Sequence, residues 1–456
     1  MQFQPSRRLP PGPKGIPLFG VLFDYNQDPT GFSLRCAQEF GDITLLPFGP
    51  LKVYLLANPE HVSEVLNHKS HCFVKGVSIQ SLKSSLGEGL LTSEGNFWKR
   101  QRRLTQPAFH RERLAGYGDI MTAAAETTMR QWQDGGIRDI HSDMMQLTLL
   151  IVAQSLFGTD IADKTPIIES ALDAVLVHFS NQLNTFFLLP EWVPTPDNIQ
   201  FWQKLHQMDE VIYDIIRQRR LAKEAKSDLL TMLLQLETED GDHMSDREIR
   251  DEVVTLMMAG HETTALALTW TWMLLAQHPE VEEKLCEEIK TVLQGRSPTA
   301  ADVSQLTYAN WVLKESMRLY PPAWGTSRQV IETIKLGDYT LEPGDTVFVN
   351  QWVMHRDPRF FERPEQFQPE RWADGFEQRL PKGVYFPFGD GPRGCIGKGF
   401  AMMESVLLLV AIAQKFRLTL DHQHPIELQP SITLRPKFCM KMCLQKREIK
   451  FERPST

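Results

Sequence analysis

The feature that most constrains this chain is a glycine-rich loop that carries one cysteine and runs straight into an apolar stretch. Residues 388–397 read Phe-Gly-Asp-Gly-Pro-Arg-Gly-Cys-Ile-Gly, with the cysteine at Cys395. The closely spaced glycines permit positive φ angles and let the backbone approach a bulky ligand. The apolar run from Phe400 to Phe416 predicts a helix. A cysteine just ahead of a helix N-terminus lies in positive potential, which favours the thiolate.

A thiolate in such a loop is chemically suited to bind a metal. It is one of the few axial ligands that proteins offer to haem iron, and it favours O–O cleavage by donating electron density. The alternative is a buried free cysteine in a tight turn, the usual state of a lone cysteine. The six cysteines of the chain form no C-x-x-C pair, and Cys439 and Cys443 lack a second ligand pair, so zinc is not expected there.

The pattern F-x-x-G-x-R-x-C-x-G, which starts at Phe388, resembles the haem-binding signature of the cytochrome P-450 family. The resemblance implies that Cys395 is the axial ligand of the iron of haem b. It also implies that Phe388, Gly389 and Gly397 lie against the cofactor and that Arg393 binds one of its propionates. The following motifs agree with this interpretation.

A long helix is predicted to start at Ser245 and to end before Pro279. Ser245 and Glu248 have the spacing of a capping box, and a proline marks the helix end. Such a helix is about 50 Å long at about 1.5 Å per residue, which is enough to cross a large domain. Its apolar run 265–276 is too short to span a membrane.

The sequence Ala-Gly-His-Glu-Thr-Thr at 259–264 lies midway along this helix and resembles the family's oxygen-activation motif. The resemblance implies that Thr263 is the hydroxyl that hydrogen-bonds the oxygen being activated and that Glu262 relays protons from solvent. It also implies that Ala259 and Gly260 let the helix lie close to the flat cofactor. The alternative is a threonine bonded to its own helix, with the glutamate on a solvated face.

A second helix is predicted from Tyr308 to Leu319, with Glu315 and Arg318 three residues apart on one face. This pair matches the family's E-x-x-R element, and Arg371 lies in a segment similar to its downstream partner. The resemblance implies a buried ion network that holds the cysteine loop, so that Glu315→Ala or Arg318→Ala is expected to give protein without haem. The alternative is an ordinary surface pair.

Haem propionates need cationic partners. Trp98 and Arg102 are four residues apart and share a helix face, and the pair resembles the family's propionate-binding helix. Arg328 and Arg393 occupy the other matching positions, and an arginine can bind a carboxylate with two hydrogen bonds. For Arg102 the alternative is simple surface charge within the basic run 99–103.

Size and composition predict one large domain rather than several. The 456 residues contain no visible linker or repeat, and the net charge of −8 argues against a nucleic-acid binder. The resemblance covers nearly the whole chain. It implies a mainly α fold with small β-sheets (α+β), formed by residues 1–456, with the haem between the long central helix and the cysteine loop and its helix.

The N-terminal segment 1–20 is basic and proline-rich, and its apolar run from Ile16 to Phe23 is too short for a membrane anchor. Residues 10–13 (Pro-Pro-Gly-Pro) resemble the hinge that follows the anchor in microsomal members of the family. Either the protein is soluble, as bacterial members are, or an anchor is missing ahead of the hinge. Met1 favours the first alternative, and a cytoplasmic location is expected.

The resemblance implies a haem-thiolate monooxygenase that inserts one atom of O2 into an apolar substrate such as a fatty acid or a terpenoid. The apolar stretch from Phe179 to Trp192 agrees with a lipid-like ligand. Electrons are expected from a ferredoxin or flavodoxin and its reductase, because no flavin or iron–sulfur module is visible in the chain. The alternatives are a peroxide-dependent peroxygenase, a non-catalytic haem-based binding or sensor protein, and a purely structural helical protein.

Overall fold

The fold is mainly helical, with small sheets. The computed structural model describes residues 8–159, 161–184, 191–222, 228–235, 243–421 and 425–447. In these parts of the chain, helices dominate and the strands form four small sheets, as the sequence predicted. Across the same residues, no helix is both long enough and apolar enough to cross a bilayer.

Helices account for most of the described residues. The α-helices are α1 (Leu22–Gln27), α2 (Pro29–Phe40), α3 (Pro59–Ser63), α4 (Val77–Gln80), α5 (Lys83–Leu86), α6 (Gly95–Thr105), α7 (Arg111–Met129), α8 (Ile140–Phe157), α9 (Thr165–Asn184), α10 (Pro196–Leu221), α11 (Leu229–Gln235), α12 (Asp246–Gln277), α13 (Pro279–Leu293), α14 (Thr307–Leu319), α15 (Gln351–Met354), α16 (Phe376–Arg379) and α17 (Lys398–Lys415). A short π-helix spans Glu64–His68. The 3₁₀ turns span Ser70–Cys72, Gln106–Phe109, Ala162–Lys164, Ala300–Ser304, Pro369–Gly375 and Gly391–Arg393.

The strands are short and mostly antiparallel. They are β1 (Ile43–Phe48), β2 (Leu51–Leu56), β3 (Phe73–Lys75), β4 (Ile137–Asp139), β5 (Thr326–Val330), β6 (Ile334–Leu336), β7 (Tyr339–Leu341), β8 (Thr346–Val349), β9 (Phe416–Leu420), β10 (Leu428–Pro430), β11 (Leu434–Pro436) and β12 (Lys441–Lys446). The largest sheet has the order β1-β2-β8-β5-β3, in which β2 and β8 run parallel. The others have the orders β4-β12-β9, β10-β11 and β6-β7.

Helix α12 is the central element of the helical part. The predicted capping box is present, because the Glu248 N–H donates to Ser245 Oγ at 3.3 Å and the Ser245 N–H donates to Glu248 Oε2 at 2.8 Å. The helix packs against α8, α10, α14 and α17. Its second half is almost fully buried, including Trp270 and Trp272. A long helix with apolar residues on all sides therefore forms the centre of the helical core.

The other predicted elements are also present. Strands β1 and β2 form a hairpin, and α14 ends at Leu319, as predicted. Helix α17 begins directly behind the cysteine loop and packs on α7, α12 and α14. The loop at the start of α17 is thereby held against the centre of the helical core.

Candidate active site

The cysteine loop is closed by its own backbone. The Cys395 N–H donates to the Phe388 carbonyl at 2.8 Å, and the Gly394 N–H donates to the Gly391 carbonyl at 2.9 Å. Gly391 has φ +70°, and a Cβ there would lie 2.0 Å from the Leu66 carbonyl oxygen. Only glycine fits this position, because the backbone is left-handed and the π-helix lies directly against it.

A side-chain bond fixes the same loop to the π-helix. The Asn67 Nδ2 donates to Asp390 Oδ2 at 2.8 Å. Next to it, Gly389 also has a left-handed φ of +67°. A Cβ at Gly397 would lie 3.9 Å from the Cys395 sulfur. Gly397 therefore lies beside the thiol, Phe388 is bonded to the cysteine backbone, and the loop is anchored to a segment near the start of the chain.

The electrostatics of the Cys395 thiol only partly match the expectation. The N–H groups of Gly397 and Lys398 and the Arg102 guanidinium all lower its pKa, as a helix N-terminus predicts. Desolvation of the sulfur is the largest influence, however, and the pKa is raised above its usual value. Arg102 donates to the Gly394 carbonyl at 2.8 Å. The N-terminus of α17 and Arg102 thus act on the sulfur in the predicted direction, against the effect of desolvation.

The motif on α12 has its threonine bonded to its own helix. The Thr263 hydroxyl donates to the Ala259 carbonyl at 2.8 Å, while α12 stays helical throughout. A Cβ at Gly260 would lie 3.0 Å from the Val152 Cγ2 on α8. Close packing of α8 on α12 is therefore one reason for the glycine, and the expected approach to a cofactor at Ala259 and Gly260 stays a prediction.

Glu262 is buried and engaged on the side of α12 that faces β11. Its Oε1 accepts from the Thr433 hydroxyl at 2.8 Å and from Arg435 Nε at 2.6 Å. Arg435 Nη1 in turn lies 3.1 Å from Asp173 Oδ1 on α9. The glutamate is 1% exposed, whereas Asp173 is 57% exposed. The solvated face considered as an alternative is thus wrong, and Arg435 links the buried Glu262 to the exposed Asp173.

The predicted ion network is present and buried. Arg318 binds Glu315 through two bonds of 2.9 Å, and both side chains are 0% exposed. Arg371 Nε lies 3.3 Å from Glu315 Oε1, and the Trp372 indole N–H donates to Glu315 Oε2 at 2.9 Å. The alternative of a surface pair is therefore excluded.

The network reaches the cysteine loop through one histidine. Arg318 Nη1 donates to the His355 carbonyl at 2.9 Å. Phe386 lies two residues before Phe388, and its N–H donates to His355 Nε2 at 3.1 Å. Burial and the nearby Arg318 and Arg356 hold the pKa of His355 well below its ordinary value, so the ring is neutral and accepts this bond. The sequence offered no signal for His355.

Arg393 and Arg102, which are both predicted to bind propionates, have different partners in the structure. Arg393 stacks over the Trp98 ring at 3.8 Å, binds the Glu94 carboxylate and donates to the Ser93 carbonyl. Arg102 lies instead against the cysteine loop, as described above. Trp98 and Arg393 therefore meet, although 295 residues separate them in the sequence.

Arg328 lies on β5, directly opposite Lys75 on β3. Burial and Arg393 lower the pKa of Arg328 to about 10. Burial, Arg393 and Arg328 lower the pKa of Lys75 to about 7. Like charges directly across a strand pair are destabilising, and Glu94 is the one carboxylate that opposes them in both shifts. The sequence analysis missed Lys75, because only strand register shows that it faces Arg328.

Comparisons with known proteins agree with this geometry. The family model described as Cytochrome P450 matches residues 10–442. Cyclooctatin synthase from Streptomyces melanosporofaciens is 37% identical over 93% of this chain and 91% of that protein. Cyclooctat-9-en-7-ol 5-monooxygenase from the same organism is 34% identical, over 89% and 88%. Pentalenene oxygenase from Streptomyces avermitilis is 32% identical, over 90% and 91%.

The chain belongs to the cytochrome P450 family. The predicted family and fold class are thereby confirmed. This P450 is a monooxygenase, and its family implies a haem-iron cofactor, O2 and a redox partner.

The residues of this P450 fit a haem. Burial lowers the pKa of Lys75 and of Arg328, and the positive charge of Arg393 lowers both further. The three cations therefore lie close enough to repel one another. A group with two carboxylates would relieve this repulsion, and haem carries two propionates. Cys395 would supply the sulfur ligand that thiolate-ligated haem requires.

The predicted substrate region is described only in part. Phe179 on α9 is 4% exposed and belongs to the main core, while Trp192 is 82% exposed. The residues Phe186, Phe187, Leu188 and Leu189 lie outside the described residues. Trp324 is buried, and its indole donates to the Ser431 carbonyl at 2.9 Å. The loop that carries Trp324 and the turn at Ser431 are therefore in contact.

One residue of the basic run 99–103 forms an ion pair with another part of the chain. Arg100 pairs with Glu248 at the start of α12 at 2.9 Å. Lys99, Arg103 and Lys398 are exposed. The run therefore keeps positive charge on the surface near the cysteine loop.

Proposed function

We propose that this P450 hydroxylates an apolar terpenoid, using haem b ligated by Cys395. The observation that supports this most is the cysteine loop, held at one end by the π-helix and at the other by the His355 link to the buried ion network. Two relatives are named for the oxygenation of cyclooctat-9-en-7-ol and of pentalenene. Their similarity to this chain favours a terpenoid substrate over a fatty acid.

In this proposal each predicted cofactor residue has a defined part. Arg328, Arg393 and Lys75 would bind the propionates, and Trp98 would keep Arg393 in place by stacking. Arg102 would bind a propionate as well, and it supports the loop through the Gly394 carbonyl. The bound haem would supply the oxygen activation that the protein side chains cannot.

Thr263 would act as a hydrogen-bond acceptor in the pocket. Its one hydroxyl proton is donated to the Ala259 carbonyl at 2.8 Å. The oxygen then presents only lone pairs to the space beside α12. It can therefore hold a water molecule, or accept a proton in a hydrogen bond, without leaving its helical position.

Glu262 would exchange protons with solvent only when Arg435 releases it. Its Oε1 is held at 2.6 Å by Arg435 and at 2.8 Å by Thr433. Since Arg435 also binds the exposed Asp173, the solvent side of this relay lies at α9. The role of Glu262 as a proton relay thus depends on a contact that the sequence did not reveal.

Electrons would come from a ferredoxin or flavodoxin with its reductase, in the cytoplasm. The exposed cations Lys99, Arg103 and Lys398 support docking of an acidic partner near the cysteine loop. None of the six cysteines forms a disulfide in the described residues, which agrees with a reducing compartment. Reduction by such a partner should slow as salt is added.

Optical titration tests the substrate class. Cyclic terpenoids and fatty acids of increasing length are added separately to the purified haem protein, and the Soret band is followed for the shift that substrate binding causes. A shift with terpenoids, with an oxygenated product when O2, ferredoxin and reductase are supplied, is the expected result. A shift with fatty acids alone would overturn the terpenoid assignment, and turnover with hydrogen peroxide alone would favour a peroxygenase.

A further inference from the structure

Three side chains of the kinds that bind metals lie close together just ahead of β3, outside the predicted haem site. His71, Cys72 and Glu332 each offer one ligand atom, and these atoms all lie within 4.8 Å of one another. The Cys72 Sγ lies 3.8 Å from Glu332 Oε2. Cys72 is 7% exposed, whereas the other two residues are exposed.

The backbone fixes this meeting. Cys72 directly precedes β3, and Glu332 follows β5 by two residues. The two strands pair antiparallel with Phe73 opposite Val330, and the Ile331 N–H donates to the Cys72 carbonyl at 2.9 Å. The cysteine and the glutamate are therefore held together by strand register, not by flexible loops.

We propose that His71, Cys72 and Glu332 form a zinc site. A thiolate, an imidazole and a carboxylate are the three ligand types that Zn²⁺ takes in proteins. The thiolate and the carboxylate would neutralise the two charges of the ion. Three protein ligands leave a fourth tetrahedral position for water, since His71 and Glu332 open to solvent.

The geometry needs little rearrangement. Ligand atoms on a tetrahedral zinc, at bond lengths of about 2.0 to 2.3 Å, are roughly 3.5 Å apart. The Cys72 to Glu332 distance of 3.8 Å is already close to this value. The remaining adjustment falls on His71, an exposed side chain that can change rotamer without disturbing the core.

The nearby Lys69 ammonium opposes the ion, but it is engaged elsewhere. It donates to Glu64 Oε2 at 2.9 Å and to the Lys335 carbonyl at 2.8 Å. Because zinc binds a thiolate, it would displace the proton of the Cys72 thiol on binding.

Bound zinc would clamp the strand pair that carries part of the propionate corner. Lys75 and Arg328 face each other on β3 and β5, three residues beyond Cys72 along β3. An ion that joins Cys72 to Glu332 would fix the register of these strands. The site would thus stabilise the two cations against their mutual repulsion without touching the cofactor.

Zinc binding to the intact haem protein tests the proposal. Haem-loaded protein is stripped with a chelator and dialysed against Zn²⁺, bound zinc is counted, and its ligands are measured by X-ray absorption. We expect one zinc per chain with one sulfur ligand at about 2.3 Å. Cys72→Ser should abolish that sulfur ligand, and Glu332→Gln, on an exposed side chain, should weaken binding while the haem spectrum stays unchanged.

The matched control is Cys443→Ser, which removes a half-exposed thiol elsewhere and should leave stoichiometry and sulfur ligation intact. Three outcomes would overturn the proposal. They are no bound zinc, an adventitious ion with nitrogen and oxygen ligands only, and a sulfur ligand that persists in Cys72→Ser.

Discussion

Glu404, on α17, is a carboxylic acid buried at 0% exposure against Thr264 on α12. Desolvation raises its pKa well above the ordinary value, and the threonine hydroxyl opposes this only in part. The folded protein therefore keeps the proton, while the unfolded chain loses it above a pH of about 4.3. The raised pKa of Glu404 therefore changes the free energy of unfolding with pH. Its contribution to stability is highest below that pH and falls as the pH rises toward the folded-state pKa.

Glu404→Gln should therefore stabilise the protein at neutral pH and flatten the loss of stability as the pH rises. The amide keeps the shape and has no proton to lose, and each unit of pKa shift corresponds to about 1.4 kcal/mol. Urea unfolding from pH 5 to pH 8 measures the effect. The exposed Glu39→Gln serves as the control, and an equal pH slope in the Glu404 variant and the parent protein would contradict this prediction.

Glu315→Ala should destabilise the fold by about 3–5 kcal/mol and yield protein with little haem. The reason is that removing the carboxylate leaves the buried Arg318 without its anion. Haem absorbance per protein and urea unfolding are the measurements. Glu210→Ala, which breaks an exposed pair with His206, should cost less than about 1 kcal/mol, and full haem occupancy in Glu315→Ala would refute the role of the network.

Sequence reasoning succeeded for single residues when their partners were close in the chain. Glu315 and Arg318 lie one turn apart, so helix geometry alone places them together. Arg435 and Lys75 could not be found in this way. Their partners Glu262 and Arg328 lie 173 and 253 positions away, and only the packed structure reveals those contacts.

At the scale of elements, the contact of the cysteine loop with the π-helix depends on one glycine. Gly391→Ala would force a left-handed alanine, at a cost of about 1–2 kcal/mol, and would drive its Cβ into the Leu66 carbonyl. We expect a larger loss of stability than strain alone gives, together with lower haem content. Urea unfolding and haem absorbance measure both effects.

Gly135→Ala is the matched control, since it has φ +73° but nothing within 4 Å of the added Cβ. It should show the conformational cost without loss of haem. Equal effects in the two variants would mean that the Leu66 contact is unimportant.

Local signals predicted the elements well where they end at recognisable residues. The capping box at Ser245 and the proline at Pro279 bound α12 correctly. Gly260 shows the limit of such signals. A glycine in the middle of a helix signals a close neighbour, but it does not identify Val152 of α8 as one of them.

At the scale of the whole molecule, the assignment of residues 1–456 to one domain remains a prediction. The central helix contacts α8, α10, α14 and α17, so the helical core has no obvious division. We expect a single calorimetric unfolding transition that coincides with haem release. A second transition, or haem release well before unfolding, would contradict the assignment.

The bond between Asn67 and Asp390 joins positions 323 residues apart. At roughly 5–20 residues per second on the ribosome, the π-helix segment is synthesised tens of seconds before its partner exists. The loop that carries Cys395 therefore cannot be closed against the π-helix during most of translation. If Cys395 binds haem as proposed, haem capture would belong to the last stage of biogenesis, and a nascent chain would have to keep that early segment accessible until the ribosome has nearly finished.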